Sequence, residues 1–246
     1  MFLLVLQENF FQQDKLLTAE RYSAWESVAR KLAHEIKNPL TPIQLSIDRL
    51  REKYSKKISD GELDFKNYLE TINRQIKDIE NLVNEFSNFA RMPNPIMKKI
   101  NIYIVVKRAV DFIKMSSQNI IELDSSDQKL IVTGDEEQLY RVFINLIKNS
   151  EESFSEKREK KHDFKGKINI EIVKNNDYIV IKLIDNGTGI LDTKKVMTPY
   201  FTTKKKGSGL GLPIVSKIIN EHSGELNISN NTKEGATITI LLPFKS

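Results

Sequence analysis

The string His34-Glu35-Ile36-Lys37-Asn38-Pro39-Leu40-Thr41-Pro42 sets one histidine among helix-forming residues, with a carboxylate directly after it and an amide one turn on. A histidine accepts a phosphoryl group only when its imidazole is neutral, exposed and oriented by a neighbour. An unperturbed imidazole is largely neutral near pH 7, and Glu35 is placed to take the ring proton. Asn38 and Thr41 follow at i+4 and i+7 and share the face of His34. Read alone, the string fits a surface histidine with ordinary neighbours equally well.

Four further strings, in order, have the chemistry of a nucleotide site. In Asn145-Leu146-Ile147-Lys148-Asn149-Ser150 the two asparagines lie one helical turn apart on one face, and amide oxygens are hard ligands suited to a Mg²⁺ that bridges phosphates. Asp185-Asn186-Gly187-Thr188-Gly189-Ile190 follows a strand. A carboxylate there can accept a hydrogen bond from an exocyclic amine such as that of adenine, while Gly187 and Gly189 allow a sharp turn against the ring. Pro199-Tyr200-Phe201-Thr202-Thr203-Lys204 offers aromatic anchors, with Lys204 in reach of terminal phosphates. Gly207-Ser208-Gly209-Leu210-Gly211-Leu212-Pro213 opens a helix, whose backbone N–H groups and positive end suit a phosphate chain. Taken singly, the first is two surface asparagines, and the second is a turn or a calcium-like loop. No Gly-x-x-x-x-Gly-Lys-Ser/Thr is present, and the glycines at 207, 209 and 211 lack Rossmann spacing after a strand, which excludes a P-loop and disfavours a dinucleotide site.

These strings need elements to hold them. From about Leu16 to Tyr54 the apolar positions Trp25, Val28, Leu32, Ile36, Ile43, Ile47, Leu50 and Tyr54 form a helical stripe, with His34 about 200° around the helix from Leu32. Pro39 and Pro42 predict a bend beside the histidine. Ser55–Glu62, with Asp60-Gly61, predicts a turn; a second helix from about Leu63 to Ala90 carries Phe65, Leu69, Ile72, Ile76, Ile79, Val83, Phe86 and Phe89. One hairpin cannot cover both stripes, so pairing of two copies into a four-helix bundle is expected, a single coiled hairpin being the alternative. Arg91-Met92-Pro93-Asn94-Pro95 marks a linker. Beyond it the pattern is α/β: a strand-like start and helix over 101–115, a strand at 130–132, and a helix over 135–154 opened by a capping box of Asp135 and Gln138. The charge run 155–167 predicts a solvated loop with an inert His162. Strands at 167–174 and 178–184, a helix over 212–222, and strands at 225–229 and 236–242 follow. His222, at a helix C-terminus, predicts a favourable charge or cap rather than a ligand.

With 246 residues, 39% hydrophobic and 29% charged, the chain has the composition of an ordinary folded protein of one large or two modest domains. A net charge of +5 suits a nucleotide or an acidic partner surface but is too diffuse to indicate nucleic acid. The absence of cysteine excludes disulfides and thiolate metal sites and fits a reducing compartment. The apolar start Met1–Leu6 is far short of the roughly 20 residues of a membrane span.

Together the four strings resemble the N, G1, F and G2 boxes of the Bergerat (GHKL) ATP-binding fold, and the His34 string resembles the phospho-accepting box of sensor histidine kinases. The resemblance covers the chain from about Leu16. Ala24-Trp25, Phe89-Ala90-Arg91-Met92-Pro93 and Leu212-Pro213-Ile214-Val215 are similar to the nitrogen-regulation NtrY type. It implies an α+β protein. Residues 1–15 would be the remnant of an upstream sensor module, 16–92 a dimeric helical hairpin for phosphotransfer, and 96–246 an α/β sandwich that binds ATP. The implied function is an ATP-dependent kinase that phosphorylates His34 and passes the group to an aspartate of a response regulator, NtrX-like by the same comparison. Glu35 would act as base. Asn149, helped by Asn145, would hold Mg²⁺ and Asp185 adenine, with Gly187, Gly189, Thr203, Lys204, Gly207, Gly209, Leu210 and Gly211 completing the nucleotide site. Residues from about Leu191 to Gly211 would form a lid, and the nucleotide domain would swing about Pro93–Pro95 to present the γ-phosphoryl group. Glu35-Ile36-Lys37-Asn38 matches the Glu-x-x-Asn pattern by which related kinases position water to dephosphorylate the regulator. ATP-hydrolysing members of the fold carry a glutamate one turn before the metal-binding asparagine; here that residue is Asn145, which disfavours rapid hydrolysis. The implied setting is the cytoplasm, membrane-tethered within a longer sensor. A catalytically silent ATP-binding scaffold and a serine kinase of the same fold are the alternatives.

Overall fold

The computed structural model describes residues 36, 39–54, 62–90, 92–160, 163–175, 177–193, 195–199, 201–202, 209–232 and 234–244. The chain divides into two compact units, Met1–Pro93 and Asn94–Ser246. No helix among the described residues is long and apolar enough to cross a membrane.

In the first unit, residues 39–54 form helix α1 and Glu62–Ala90 helix α2. Ile47, Leu69 and Ile76 are buried together, with Leu40 and Phe65 packed against them. Gln44 Nε2 donates to Asn73 Oδ1 at 2.9 Å, tying one helix to the other. The apolar stripes split along their heptads. Positions 47, 69, 76 and 83 are buried, whereas Ile43, Leu50, Ile72 and Ile79 stay exposed. One hairpin has two apolar seams and closes only one. Pro39 and Pro42 both lie in α1, where Ser46 Oγ donates to the Pro42 carbonyl at 2.8 Å. The bend expected beside His34, residues 55–61 of the expected turn and the stripe side chains of Trp25, Val28, Leu32, Phe86 and Phe89 lie outside the described residues.

The second unit runs β1 (Lys98–Asn101), α3 (Ile102–Lys114), β2 (Ile120–Ser125), β3 (Ile131–Gly134), α4 (Glu136–Lys160), β4 (Lys167–Lys174), β5 (Tyr178–Asp185), a 3₁₀ turn (Lys195–Met197), α5 (Gly211–Glu221), β6 (Glu225–Asn230) and β7 (Ala236–Pro243). Its main sheet has the order β2-β4-β5-β7-β6, with β2 parallel to β4 and the other neighbours antiparallel; β1 and β3 form a separate antiparallel pair. Burial alternates along the central strands. Ile168, Ile170 and Ile172 of β4, Ile179, Ile181 and Leu183 of β5, and Ile238, Ile240 and Leu242 of β7 point inward. The apolar sides of the helices, including Val106, Val110, Phe143, Ile147, Val215 and Ile218, are buried in the same unit. The result is a two-layer α/β sandwich with a hydrophobic interior between sheet and helices.

Two expectations fail. The charge run after Phe154 is not a loop: α4 continues to Lys160, because Phe154 is fully buried beside Phe164 and the charges occupy the helix's outer turns. His162 lies outside the described residues. Strand β2 has no counterpart in the sequence reading; only Ile121 of it is buried, so its alternation is weak.

Candidate functional site

Helix α4 starts on a cap made by Asp135, whose Oδ1 accepts the Gln138 N–H at 3.0 Å. The reciprocal half of the expected capping box is replaced, since the Asp135 N–H donates instead to His222 Nε2 at 2.8 Å. Burial would raise the Asp135 carboxyl, but N–H donors from Ile96, Gln138 and Glu137 hold it below its usual range. His222 caps α5 as expected, its Nδ1 bonded to the Ile218 carbonyl at 2.7 Å, but not as a charge. Burial depresses the imidazole below 6.5, outweighing the Ile218 carbonyl and the Asp135 carboxylate that favour protonation. A neutral ring donates at one nitrogen and accepts at the other, so it can serve both helices at once.

This pairing has a pH consequence. Below pH 6.5 the unfolded ring takes up a proton that the folded ring resists, so stability is full above 6.5 and falls as pH drops toward the lower folded-state value. The expected slope approaches about 1.4 kcal/mol per pH unit within that window. Urea midpoints at pH 7.5 and 5.5 should show it in the wild type and show a smaller change in His222→Gln.

The contact between α4 and α5 sets one wall of the site. Asn145 and Asn149 are partly buried on α4, and the Asn145 Nδ2 has no hydrogen-bond partner among the described residues. A Cβ placed on Gly211 would lie 3.6 Å from Asn149 Nδ2, in ordinary van der Waals contact, so the backbone at the start of α5 faces that amide closely. The N-cap residue of α5, Leu210, is buried and its side chain makes no cap hydrogen bond; Gly209 before it has φ +69°.

The other wall is the turn after β5. Asp185 is buried at the strand end. Its Oδ1 accepts the N–H groups of Gly187 at 2.8 Å and Ala236 at 3.2 Å, and its Oδ2 accepts the Ser150 hydroxyl at 3.2 Å. Ser150 follows Asn149 directly, so one turn of α4 both presents the amide and orients the carboxylate. Gly187 is dictated by space: a Cβ there would fall 1.9 Å from Ser153 Oγ. Gly189 has φ +76°.

The structure thus brings together Asn145, Asn149, Asp185, Gly187 and Gly211, from parts of the chain far apart in sequence. His34, Glu35, Asn38, Thr203, Lys204 and Gly207 lie outside the described residues. The donor set fits a magnesium nucleotide: the oxygens of two amide side chains on one helical face are suitable for a hard cation, and the Asn145 amide nitrogen, partnerless among the described residues, can donate to a phosphate oxygen. A buried carboxylate has room for one further donor beyond the three it already accepts. Sequence reasoning missed Ser150 as the orienting hydroxyl. It also missed the side chains that brace the turn from outside, Lys157, Asn230 and Asn231, none of which stands in a recognisable string.

Comparison with known proteins agrees with this layout. Residues 24–95 match the His Kinase A (phospho-acceptor) domain family, and residues 134–246 match the Histidine kinase-, DNA gyrase B-, and HSP90-like ATPase family. The chain is 43% identical over 237 residues to an NtrY-like sensor histidine kinase of Rickettsia felis, covering 95% of this chain and 38% of that protein. It is 36% identical over 236 residues to nitrogen regulation protein NtrY of Azorhizobium caulinodans, covering 94% of this chain and 30% of that protein. It therefore spans well under half the length of these two relatives. Among solved structures it shares its fold with histidine kinase ThkA in complex with response regulator protein TrrA, with a TM-score of 0.65 at 22% identity over 96% of this chain and 66% of that one. The catalytic domain of ThkA alone matches with a TM-score of 0.53 at 24% identity, over 60% of this chain and 95% of that one. With a phospho-acceptor domain followed by an ATPase domain of this kind, the chain belongs to the sensor histidine kinase family.

Proposed function

We propose that this chain is an ATP-dependent protein-histidine kinase whose γ-phosphoryl group goes first to His34 and then to an aspartate of a response-regulator receiver domain, NtrX-like by kinship. One observation carries the reading: the carboxylate of Asp185, held on three sides by Ser150, Gly187 and Ala236, stands beside a helix on which the buried amide nitrogen of Asn145 has no hydrogen-bond partner among the described residues. In this reading Asp185 accepts a hydrogen bond from the exocyclic amine of adenine. Asn149 and Asn145 hold Mg²⁺, and Gly189, Gly207, Gly209, Leu210 and Gly211 bring backbone to the phosphates, with Thr203 and Lys204 in a lid. A Mg²⁺ held by these amides would supply positive charge to offset that of the phosphates. A ring nitrogen of His34 forms the new N–P bond as the bond to the ADP oxygen breaks, and Glu35 takes the ring proton. The protein's contribution is mainly positioning. With an amide at 145 there is no carboxylate to activate water, and general-base help is typically worth about 10²–10⁴ in rate, so free phosphate is released slowly.

The test is incubation with γ-labelled ATP and Mg²⁺, comparing wild type with His34→Gln. Acid-labile, base-stable label confined to the wild type is the expected result. Absence of label favours a silent scaffold, and acid-stable label a serine kinase. The chain acts in the cytoplasm, tethered to the membrane when part of a longer sensor.

Two partners follow from the hairpin. The exposed seam of Ile43, Leu50, Ile72 and Ile79 suits a second copy, giving a four-helix bundle on which the regulator docks. Ile72→Lys with Ile79→Lys should shift the chain from dimer to monomer in sedimentation, since a buried unpaired charge costs several kcal/mol, of order ~3. Asn38, one turn after His34, positions a water against the regulator's phosphoaspartate. In Asn38→Ala the chain's stimulation of regulator dephosphorylation should fall about a hundredfold; unchanged decay of labelled regulator removes Asn38 from this role.

A further inference from the structure

Gly187 donates its N–H to Asp185 Oδ1 at 2.8 Å, so the carboxylate is aimed by the peptide plane joining Asn186 to Gly187. The carbonyl of that same peptide is gripped from outside the site. Lys157 Nζ, from the last turns of α4, donates to the Asn186 carbonyl at 2.6 Å and to the Gly187 carbonyl at 3.1 Å, and it pairs with Glu234 on the β6–β7 turn. An ammonium has three donors, and these three acceptors use all of them. Its side chain is only 13% exposed and lies 4.7 Å from the centre of the Phe164 ring.

The far end of the turn is held in the same way. The Asn230 amide accepts the Ile190 N–H at 2.7 Å and donates to the Ile190 carbonyl at 2.8 Å, imitating a strand pair. Asn231 Nδ2 donates to the Asp185 carbonyl at 2.8 Å. A turn containing Gly187 and Gly189 has little stiffness of its own. Besides its own Asp185 and Asn186 side chains, the turn is therefore held in shape by side chains from α4 and from the end of β6.

We propose that Lys157 and Asn230 are positioning residues that lock the Asp185–Ile190 turn and thereby set the preference for adenine over guanine nucleotides. The inference rests on the reading that Asp185 accepts the adenine amine. Guanine presents a carbonyl oxygen where adenine presents that amine, so a carboxylate held in place rejects it, and one free to swing away does not.

The experiment measures the dissociation constants of Mg-ATP and Mg-GTP by calorimetry on the full chain, together with melting curves. Lys157→Met should lower the ATP-over-GTP preference about tenfold, mainly by weakening ATP, and Lys157→Arg should restore part of it. Asn230→Ala alters an exposed side chain that supports no core and should lower the preference about threefold. Should Lys157→Met fail to melt cooperatively, Asn230→Ala carries the test. An unchanged ratio in the folded variants, or a wild type that binds both nucleotides equally, overturns the proposal. Asp185→Asn separates the two levels. Retained ATP affinity there removes Asp185 as the adenine partner, whereas lost affinity with an unchanged ratio in Lys157→Met removes only the role of the clamp.

Discussion

Asp185→Asn is expected to leave the second unit folded while ATP affinity drops by about a hundredfold, or about 2.7 kcal/mol. The substitution is isosteric. An asparagine oxygen can take the place of Oδ1 and keep the N–H groups of Gly187 and Ala236, and its NH₂ can donate to the Ser150 hydroxyl, which rotates to accept. What changes is the polarity offered to the ligand. The second oxygen becomes a donor facing the donor amine of adenine, and a lost charge-assisted hydrogen bond becomes a repulsive contact. Calorimetry with ADP and a melting curve check the two halves separately. A melting temperature near wild type with nucleotide binding weakened about a hundredfold is the expected pair; intact binding would remove Asp185 from the adenine site.

Gly235→Ala is expected to act in the opposite order, on the fold first. Gly235 has φ +91°, and a Cβ there would lie 2.0 Å from the Asp185 carbonyl oxygen and 2.7 Å from its carbon. Both obstacles are backbone, so no side-chain rotation relieves them. The β6–β7 turn would have to move away from the end of β5, breaking the Asn231 bond to the Asp185 carbonyl and the Ala236 N–H bond to the carboxylate. Strain at a positive φ together with lost buried hydrogen bonds suggests a destabilisation of about 3–5 kcal/mol. Denaturant unfolding should show the midpoint of the second unit fall steeply. Whatever fraction remains folded should bind ATP weakly, because the Ala236 N–H, one of the three donors that hold the carboxylate, is displaced with the turn.

Those two substitutions show why some of this protein was legible residue by residue and some was not. Strands β4, β5 and β7 were readable because buried side chains alternate along them. Helix α4 was readable as far as Phe154 and then misread. A run of charges looks like solvated loop unless Phe154 is known to be buried and Lys157 to be turned inward on three acceptors. Strand β2 went unseen because it is an edge whose order comes from pairing in parallel with β4, more than forty residues on. His222 was correctly read as a cap and wrongly as a charge, since its neutrality comes from being enclosed between the start of α4 and the end of α5.

Residue type and spacing alone picked out the groups proposed to carry the nucleotide chemistry: two asparagines one turn apart, a carboxylate ending a strand, and glycines before a helix. They also determined that two helical stripes must share an apolar seam. Those are properties of short segments, in which periodicity and functional groups are local. Tertiary structure alone decided how the carboxylate is aimed and what keeps the glycine turn in shape. The atoms responsible are backbone carbonyls of residues 185, 186, 187 and 190, held by side chains 29 to 46 positions away. A backbone carbonyl is the same at every residue, so no pattern in the chain marks which side chain will find it.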